Sequence, residues 1–291
     1  MDARDRRREV VRRVLVWYGD HARDLPWRRP DATAWGVLVS EFMLQQTPVT
    51  RVLAPWTEWI ERWPTPDALA AEPASAAVAA WGRLGYPRRA LRLHATAVAI
   101  SERHAGQVPV EHGDLLALPG VGDYTASAVA SFAHGQRHVV LDTNVRRVLA
   151  RLDTGVAFPP DHLTRGERDA AEQWLPDDAT DAATWAVASM ELGALICTAR
   201  SPKCDQCPVR DQCAWWAAGR PAHVGPPRKG QAWEGTDRQC RGCLLGVIRD
   251  LGRVEADSLL SRWPDRGQAE RCLASLLDDG LLTRDGDNVV L

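Results

Sequence analysis

Lysine is nearly missing from this 291-residue chain: Lys203 and Lys229 are the only two among 36 Lys plus Arg. None of the first two hundred positions carries a side-chain amine. Guanidinium groups stay protonated and make poor nucleophiles, so Schiff-base chemistry would have to use a late lysine or the N-terminus. Long apolar runs are missing as well: no stretch reaches the roughly 20 residues that cross a bilayer. The opening "MDARDRRREVVRR" is too charged to form the apolar core of a secretory signal. These absences lead to the expectation of a cytoplasmic protein with no membrane partner. Alternating strand patterns are missing before about residue 240, and there is no internal repeat.

What is present is helical. "RREVVRRVLVWYGDHA", "WGVLVSEFMLQQ", "VTRVLAPWTEWIERW", "SAAVAAWGRLG", "RRALRLHATAVAISERH", "YTASAVASFA", "NVRRVLARL" and "ATWAVASMELGALIC" space their apolar residues for helices. Breakers such as "LPWRRPD", "WPTPD", "GYP" and "AFPPD" separate them. Residues 217–236 are rich in Gly and Pro and read as a linker. Beyond them, three short helices and a hairpin turning at "DGD" suggest a winged-helix-like module over 237–291. The net charge of −2 conceals basic clusters in "RDRRREVVRR", "LPWRRP", "YPRRALRLH" and "NVRRVLAR". Each alone reads as a solvated helix face, but four of them in the first half point to a phosphate-facing surface.

"CTARSPKCDQCPVRDQC" spaces Cys197, Cys204, Cys207 and Cys213 as C-x6-C-x2-C-x5-C. Four thiols this close suit one metal centre better than disulfides in a cytosolic chain. Tetrahedral zinc is the ordinary reading, but only Cys204 and Cys207 form a close pair, and the wider loop suits an iron–sulfur cubane slightly better. Cys240, Cys243 and Cys272 read as ordinary half-buried cysteines.

"LPGVG" before "DYTASAVASFA" places Gly120, Val121 and Gly122 at a helix start, where free N–H groups can meet a phosphate of any sequence. The plainer reading is a helix–turn–helix connection without a ligand. Two acids stand in apolar surroundings. Asp142 follows "HVVL" and reads as a helix N-cap or a positioned acid. Glu41 lies in "VLVSEFMLQQ", where burial of a charge is costly and would raise its pKa.

Taken together, "LPGVGDYTASAVASFA", "VVLDTNVRRVLAR" and the cysteine loop resemble the helix–hairpin–helix DNA glycosylases. "LPWR", "VLVSEFMLQQTPV" and "WGRLGYPRRALRLH" narrow the resemblance to adenine DNA glycosylases of the MutY type, in the actinobacterial style. The match runs from about residue 10 to 216. It implies an all-α fold: a six-helix domain over 31–136 with the hairpin, and a domain from 1–30 with 137–216 holding a [4Fe–4S] cluster on the four cysteines. Their active site would lie between them.

The resemblance implies double-stranded DNA with a mispaired base as partner, a monomer, and base excision repair in the bacterial nucleoid. It carries the catalytic carboxylate onto Asp142 and the general acid onto Glu41. Endonuclease III-type relatives cut the strand with a lysine two residues after the hairpin. Tyr124 stands there, implying a monofunctional hydrolase with Tyr124 lining the pocket. Arg28 would lie near the adenine pocket. Gln46 and Thr47 would probe the opposite strand, and Leu84 and Tyr86 would meet the estranged base and wedge into the duplex. Arg200, Lys203 and Arg210 of the cysteine loop would face the DNA backbone.

Two departures stand out. Thr143 follows Asp142 where many members have glycine, and residues 237–291 are too short and too helical for a Nudix-like 8-oxoguanine-reading domain. Preference for 8-oxoguanine over guanine is therefore open. The module is expected to be loosely tethered, with Arg238 and Arg241 presented to phosphates. Competing readings are a thymine glycosylase on T·G mismatches and a non-catalytic mismatch binder. "LQQT" rather than a more basic "LRRT" favours adenine, and two costly acids disfavour a pure binder.

Overall fold

The computed structural model describes residues 2–223, 225 and 233–291. The middle of the expected linker, 224 and 226–232, lies outside the described residues. The helices through the helix–hairpin–helix are α1 (Ala3–His21), α2 (Ala34–Leu44), α3 (Val49–Arg62), α4 (Pro66–Ala70), α5 (Ala74–Ala80), α6 (Arg88–Arg103), α7 (His112–Leu116) and α8 (Asp123–Phe132). After it come α9 (Thr143–Leu149), α10 (Arg165–Glu172), α11 (Ala179–Leu195), α12 (Ala214–Ala217), α13 (Asp237–Leu251), α14 (Ala256–Leu260) and α15 (Arg266–Asp278). Three short strands, β1 (Arg253–Glu255), β2 (Thr283–Asp285) and β3 (Asn288–Val290), form one antiparallel sheet in the order β1-β3-β2. Among the described residues, no helix is long and apolar enough to cross a membrane.

The chain forms two compact units. The first gathers Met1–Val37, Val110–Ala117 and Val121–Pro226; the second gathers Leu38–Pro109, Leu118–Gly120 and Pro227–Leu291. In the first unit, α1 presents Val10, Val14 and Trp17, one helical face, to a core shared with Val148, Leu152, Trp174, Trp185 and Leu192. α11 is capped by Asp178, which accepts from Asp181 N at 2.9 Å. It packs so close to the start of α9 that a Cβ at Gly193 would stand 2.7 Å from Asn144 Cβ. Only glycine permits that approach.

In the second unit, α6 buries Leu93, Ala97 and Ile100 on the face it turns to α4 and α5. Trp59 meets Trp63 and Trp81 edge to face, with ring centroids 4.7 and 5.8 Å apart. The periodicity of "SAAVAAWGRLG" suggests a longer helix than forms. α5 stops at Ala80, because Gly82 and Gly85 take positive φ of 52° and 82°.

The C-terminal module is α13, α14 and α15 with the three-stranded sheet, a winged-helix arrangement. The hairpin β2–β3 turns at Gly286, φ 61°, as "DGD" suggests. The loose tether does not hold. Arg249 donates to Val78 O at 3.0 Å, and Arg88 meets Asp279 at 2.5 Å, so the module is built into the second unit. Arg241 does not reach outward either: it donates to Ser275 and Asp279. Arg238 lies over the Trp233 ring at 5.1 Å. Guanidiniums are used here as internal ties because the short helices leave carbonyls and carboxylates that need donors.

Candidate active site

Asp142 is the N-cap of α9. One carboxylate oxygen accepts from Val145 N at 2.6 Å, and the other accepts from Asn144 Nδ2 at 2.7 Å. The positioned acid and the helix cap are thus the same group. Burial lifts its carboxyl above the ordinary aspartate value, opposed by these donors and by Arg147. Asn144 Oδ1 accepts from Arg147 NH2 at 2.8 Å. Arg147 donates onward to Cys197 O at 2.8 Å and Gly193 O at 2.7 Å. A continuous chain of hydrogen bonds therefore links the acid to the first cysteine of the loop. Nothing in the local sequence around Asn144 or Arg147 signals it.

Tyr124, on the first turn of α8, packs with Phe132 and Met190 against Ala128, Val140 and Ala186. Val140 lies two residues before Asp142, so Tyr124 and Asp142 share one neighbourhood of the first unit. Arg28 belongs to an ion cluster around a buried acid. Glu191 on α11 is fully buried and takes Arg23 through two 2.7 Å bonds. Arg28 NH1 lies 3.0 Å from the same carboxylate but makes no aligned hydrogen bond. Burial alone would raise the Glu191 carboxyl, yet Arg23 and Arg28 hold it below its ordinary value. Glu191 was not anticipated. Its signal is the lone acid in "TWAVASMELGALIC", the same signal that marks Glu41.

Glu41 lies in the second unit, 6% exposed, on α2, whose residues from Trp35 to Met43 are all buried. The turn that follows is organised by Arg89, a second residue not anticipated. Its NH1 donates to Phe42 O at 2.9 Å, Met43 O at 3.2 Å and Gln45 O at 2.5 Å. Its NH2 reaches Thr47 Oγ1 at 3.2 Å and Gly85 O at 3.0 Å. Burial lowers Arg89 to about 10, so it remains a cation at neutral pH, where it suits a helix C-terminus.

Arg89 thereby ties "LQQT" to "RLGYP". Thr47 adds a bond from Oγ1 to Leu84 O at 3.3 Å. Gln46 and Tyr86 are exposed and take left-handed backbone, φ 56° and 48°. Such backbone costs a non-glycine residue roughly 1–2 kcal/mol. Both side chains are thus exposed on backbone that is costly for a non-glycine residue. Leu84 is instead buried, 4% exposed.

At the hairpin turn, Gly120 has φ 78°, and a Cβ there would strike Arg92. Gly122, the N-cap of α8, has φ −98° and nothing within 4 Å of a Cβ position. The first glycine is required by the fold, whereas the second leaves open space over the helix start. Val121 between them is buried.

The cysteine loop runs through two 3-10 turns, Cys204–Gln206 and Arg210–Gln212, and packs Cys197, Cys207 and Cys213 against the first unit's core. Among the described residues, no three His, Cys, Asp or Glu side chains are gathered to grip a single ion. Burial pushes the Cys207 thiol up to about 12, and Cys197, Cys213 and Cys204 lie near enough to raise it further. Four thiols on one loop packed against one core suit a cluster held by four thiolates. Arg151, buried, donates to Cys197 Sγ at 3.2 Å and supplies positive charge to a thiolate set. Arg210 is paired with Asp205 at 2.7 Å.

Residues 39–170 match the family model described as HhH-GPD superfamily base excision DNA repair protein, and 197–213 match the iron–sulfur binding domain of endonuclease III. The chain therefore carries a [4Fe–4S] cluster, and the matched segment contains the four-cysteine loop. The chain is 49% identical to the adenine DNA glycosylase of Mycobacterium tuberculosis, covering 94% of this chain and 90% of that one. It is 50% identical to that of Mycolicibacterium smegmatis, covering 94% and 92%. The solved structure of a thermostable thymine-DNA glycosylase superposes with a TM-score of 0.66 at 25% identity, over 74% of this chain and 98% of that one. The chain belongs to the adenine DNA glycosylases of the HhH-GPD base excision repair superfamily.

Proposed function

We propose that this glycosylase hydrolyses the N-glycosidic bond of adenine mispaired with 8-oxoguanine or guanine, without cutting the strand. The observation that carries this reading is Asp142: a carboxylate approached by apolar chain, oriented by two donors, with Tyr124 rather than lysine two residues beyond the hairpin. The target base has to leave the stack to be reached. Glu41 donates a proton to the adenine ring, making the base a better leaving group. As the C1′–N bond breaks, the Asp142 carboxylate stabilises the positive charge on the sugar. Neutral adenine departs with the bond electrons, and a water adds its oxygen to C1′ and passes its proton to the Glu41 carboxylate, restoring the acid.

Arg28, beside the buried Glu191 carboxylate, borders the base. Gln46, Thr47, Leu84 and Tyr86 serve the opposite strand, and Gly120, Val121 and Gly122 admit a phosphate over the start of α8. The cluster supplies structural support to its loop rather than chemistry. The wider plan belongs to the same reading: a monomer on double-stranded DNA in the nucleoid, with an iron–sulfur domain (1–30 with 137–216), a six-helix domain (31–136), a linker (217–236) and a module (237–291).

The test is single-turnover excision from duplexes carrying A·8-oxoG, A·G, A·C and T·G, with and without alkali. Breaks at adenine that need alkali support the reading. Excision confined to T·G would favour thymine, and tight binding with no excision a mismatch binder.

A further inference from the structure

From Gly82 to Tyr86 the second unit carries a run of unusual backbone, with positive φ at Gly82, Gly85 and Tyr86. Such a run makes no helix or strand ladder, so its carbonyls need other donors. They find them in succession. Gly82 O accepts from Arg249 and Arg83 O from Arg51. Leu84 O accepts from Thr47, and Gly85 O from Trp81 Nε1 at 2.9 Å and from Arg89.

Arg249 is the one donor of this set that comes from the C-terminal module. It also takes Val78 O, closing the end of α5 where the loop departs. Just past the loop, Arg88 opens α6 and meets Asp279 of the module. Asp279 is in turn held by Arg241 at 2.5 Å. Both ends of the loop are therefore attached to the module.

The chemistry of these ties is costly for mere packing. The Arg249 guanidinium is drawn out of water onto two carbonyls, and its NH2 is buried with no hydrogen-bond partner. An apolar side chain would cover the same surface with less desolvation. What a guanidinium adds is direction: it fixes where a helix ends and at what angle the loop leaves.

We propose that the module at 237–291 sets selectivity for the base opposite the target adenine, by holding the loop Gly82–Pro87 at both ends through Arg249 and Asp279. The proposal rests on reading Leu84 and Tyr86 as residues that meet the opposite strand. Tyr86 is held in a left-handed conformation that relaxes once either end is released, and a relaxed Tyr86 no longer meets that strand in one position. Arg249 and Asp279 touch no base; they are positioning residues.

The test uses the full-length, cluster-loaded protein with Arg249→Lys and Asp279→Asn, conservative changes of similar size, with iron content and melting temperature confirming the fold. Two readouts are taken: amide hydrogen exchange, and affinity for duplexes with an uncleavable 2′-fluoro-adenosine opposite guanine or thymine. Each variant is expected to speed exchange at residues 82–88 and to shrink the preference for guanine over thymine by about tenfold. Unchanged exchange or unchanged preference in both variants overturns the proposal. Tyr86→Ala separates the two layers. If it keeps wild-type preference, the reading of the loop itself fails. If it loses preference while the Arg249 and Asp279 variants keep it, only the module's part fails.

Discussion

The side-chain amide of Asn144 donates to Asp142 Oδ2 at 2.7 Å, and the same side chain accepts from Arg147 at 2.8 Å. One residue thus orients the carboxylate and joins it to the cysteine loop, since Arg147 also holds Cys197 O. Asn144→Ala leaves Asp142 with its Val145 N–H but without its second donor. Single-turnover excision should fall about 10- to 100-fold, the range seen when an orienting partner is removed. Duplex affinity should change little. Arg147→Met should in addition lower iron content. Equal excision by Asn144→Ala and wild type would show that the amide does not position the acid.

Gly193 stands against Asn144 so closely that an added methyl must displace it. Gly193→Ala should therefore lower the excision rate, and the variant should be about 1–3 kcal/mol less stable, as overpacked sites are. A crystal structure or the amide exchange of residues 142–147 would locate the shift. An active, equally stable variant would mean that α11 yields without moving α9.

Asp142→Asn should bind duplex and excise almost nothing, because the charge at C1′ is lost while the shape remains. Its stability should move the other way. Burial raises the folded pKa of Asp142 above its unfolded value, so the contribution of this carboxyl is fully present at low pH and lost as pH rises through the folded pKa. At pH 7 the ionised group is a net cost, and the variant should melt higher than wild type. The gap should close as pH falls below the ordinary aspartate value. A variant less stable at pH 7 than at pH 4, relative to wild type, contradicts the sign.

Glu41→Gln should be nearly inactive on adenine, with partial recovery on substrates whose leaving base needs no protonation. Wild-type excision of adenine by this variant removes Glu41 from the general-acid role.

Tyr124 stands where a strand-cutting relative has lysine, so borohydride should trap no protein–DNA adduct from the wild type. Tyr124→Lys places an amine in the neighbourhood of Asp142 and should produce one. A borohydride-trapped adduct from the wild-type protein would overturn the monofunctional reading.

Much of this protein is legible in local sequence, for a physical reason. A lone acid in an apolar run, as at Glu41 and Asp142, is costly enough to signal use. Four cysteines within residues 197–213 point to one metal centre, and the scarcity of lysine restricts the chemistry before any fold is known. The helices of three turns or more follow from apolar spacing. α4 and α7, at five residues each, are too short to show a period. Glu191 carried the same signal as Glu41 and was readable.

What the tertiary structure decided is where the arginines go. Arg89, Arg147 and Arg249 look alike in sequence, each a basic residue on a helix. Their roles depend on which carbonyls come within hydrogen-bond reach: Phe42 and Met43 for Arg89, Cys197 for Arg147, Val78 for Arg249. Those partners are 46 to 171 residues away along the chain. Periodicity encodes which face of a helix avoids water. It carries no record of which distant carbonyl a five-donor fork will meet, and only the packed chain supplies that.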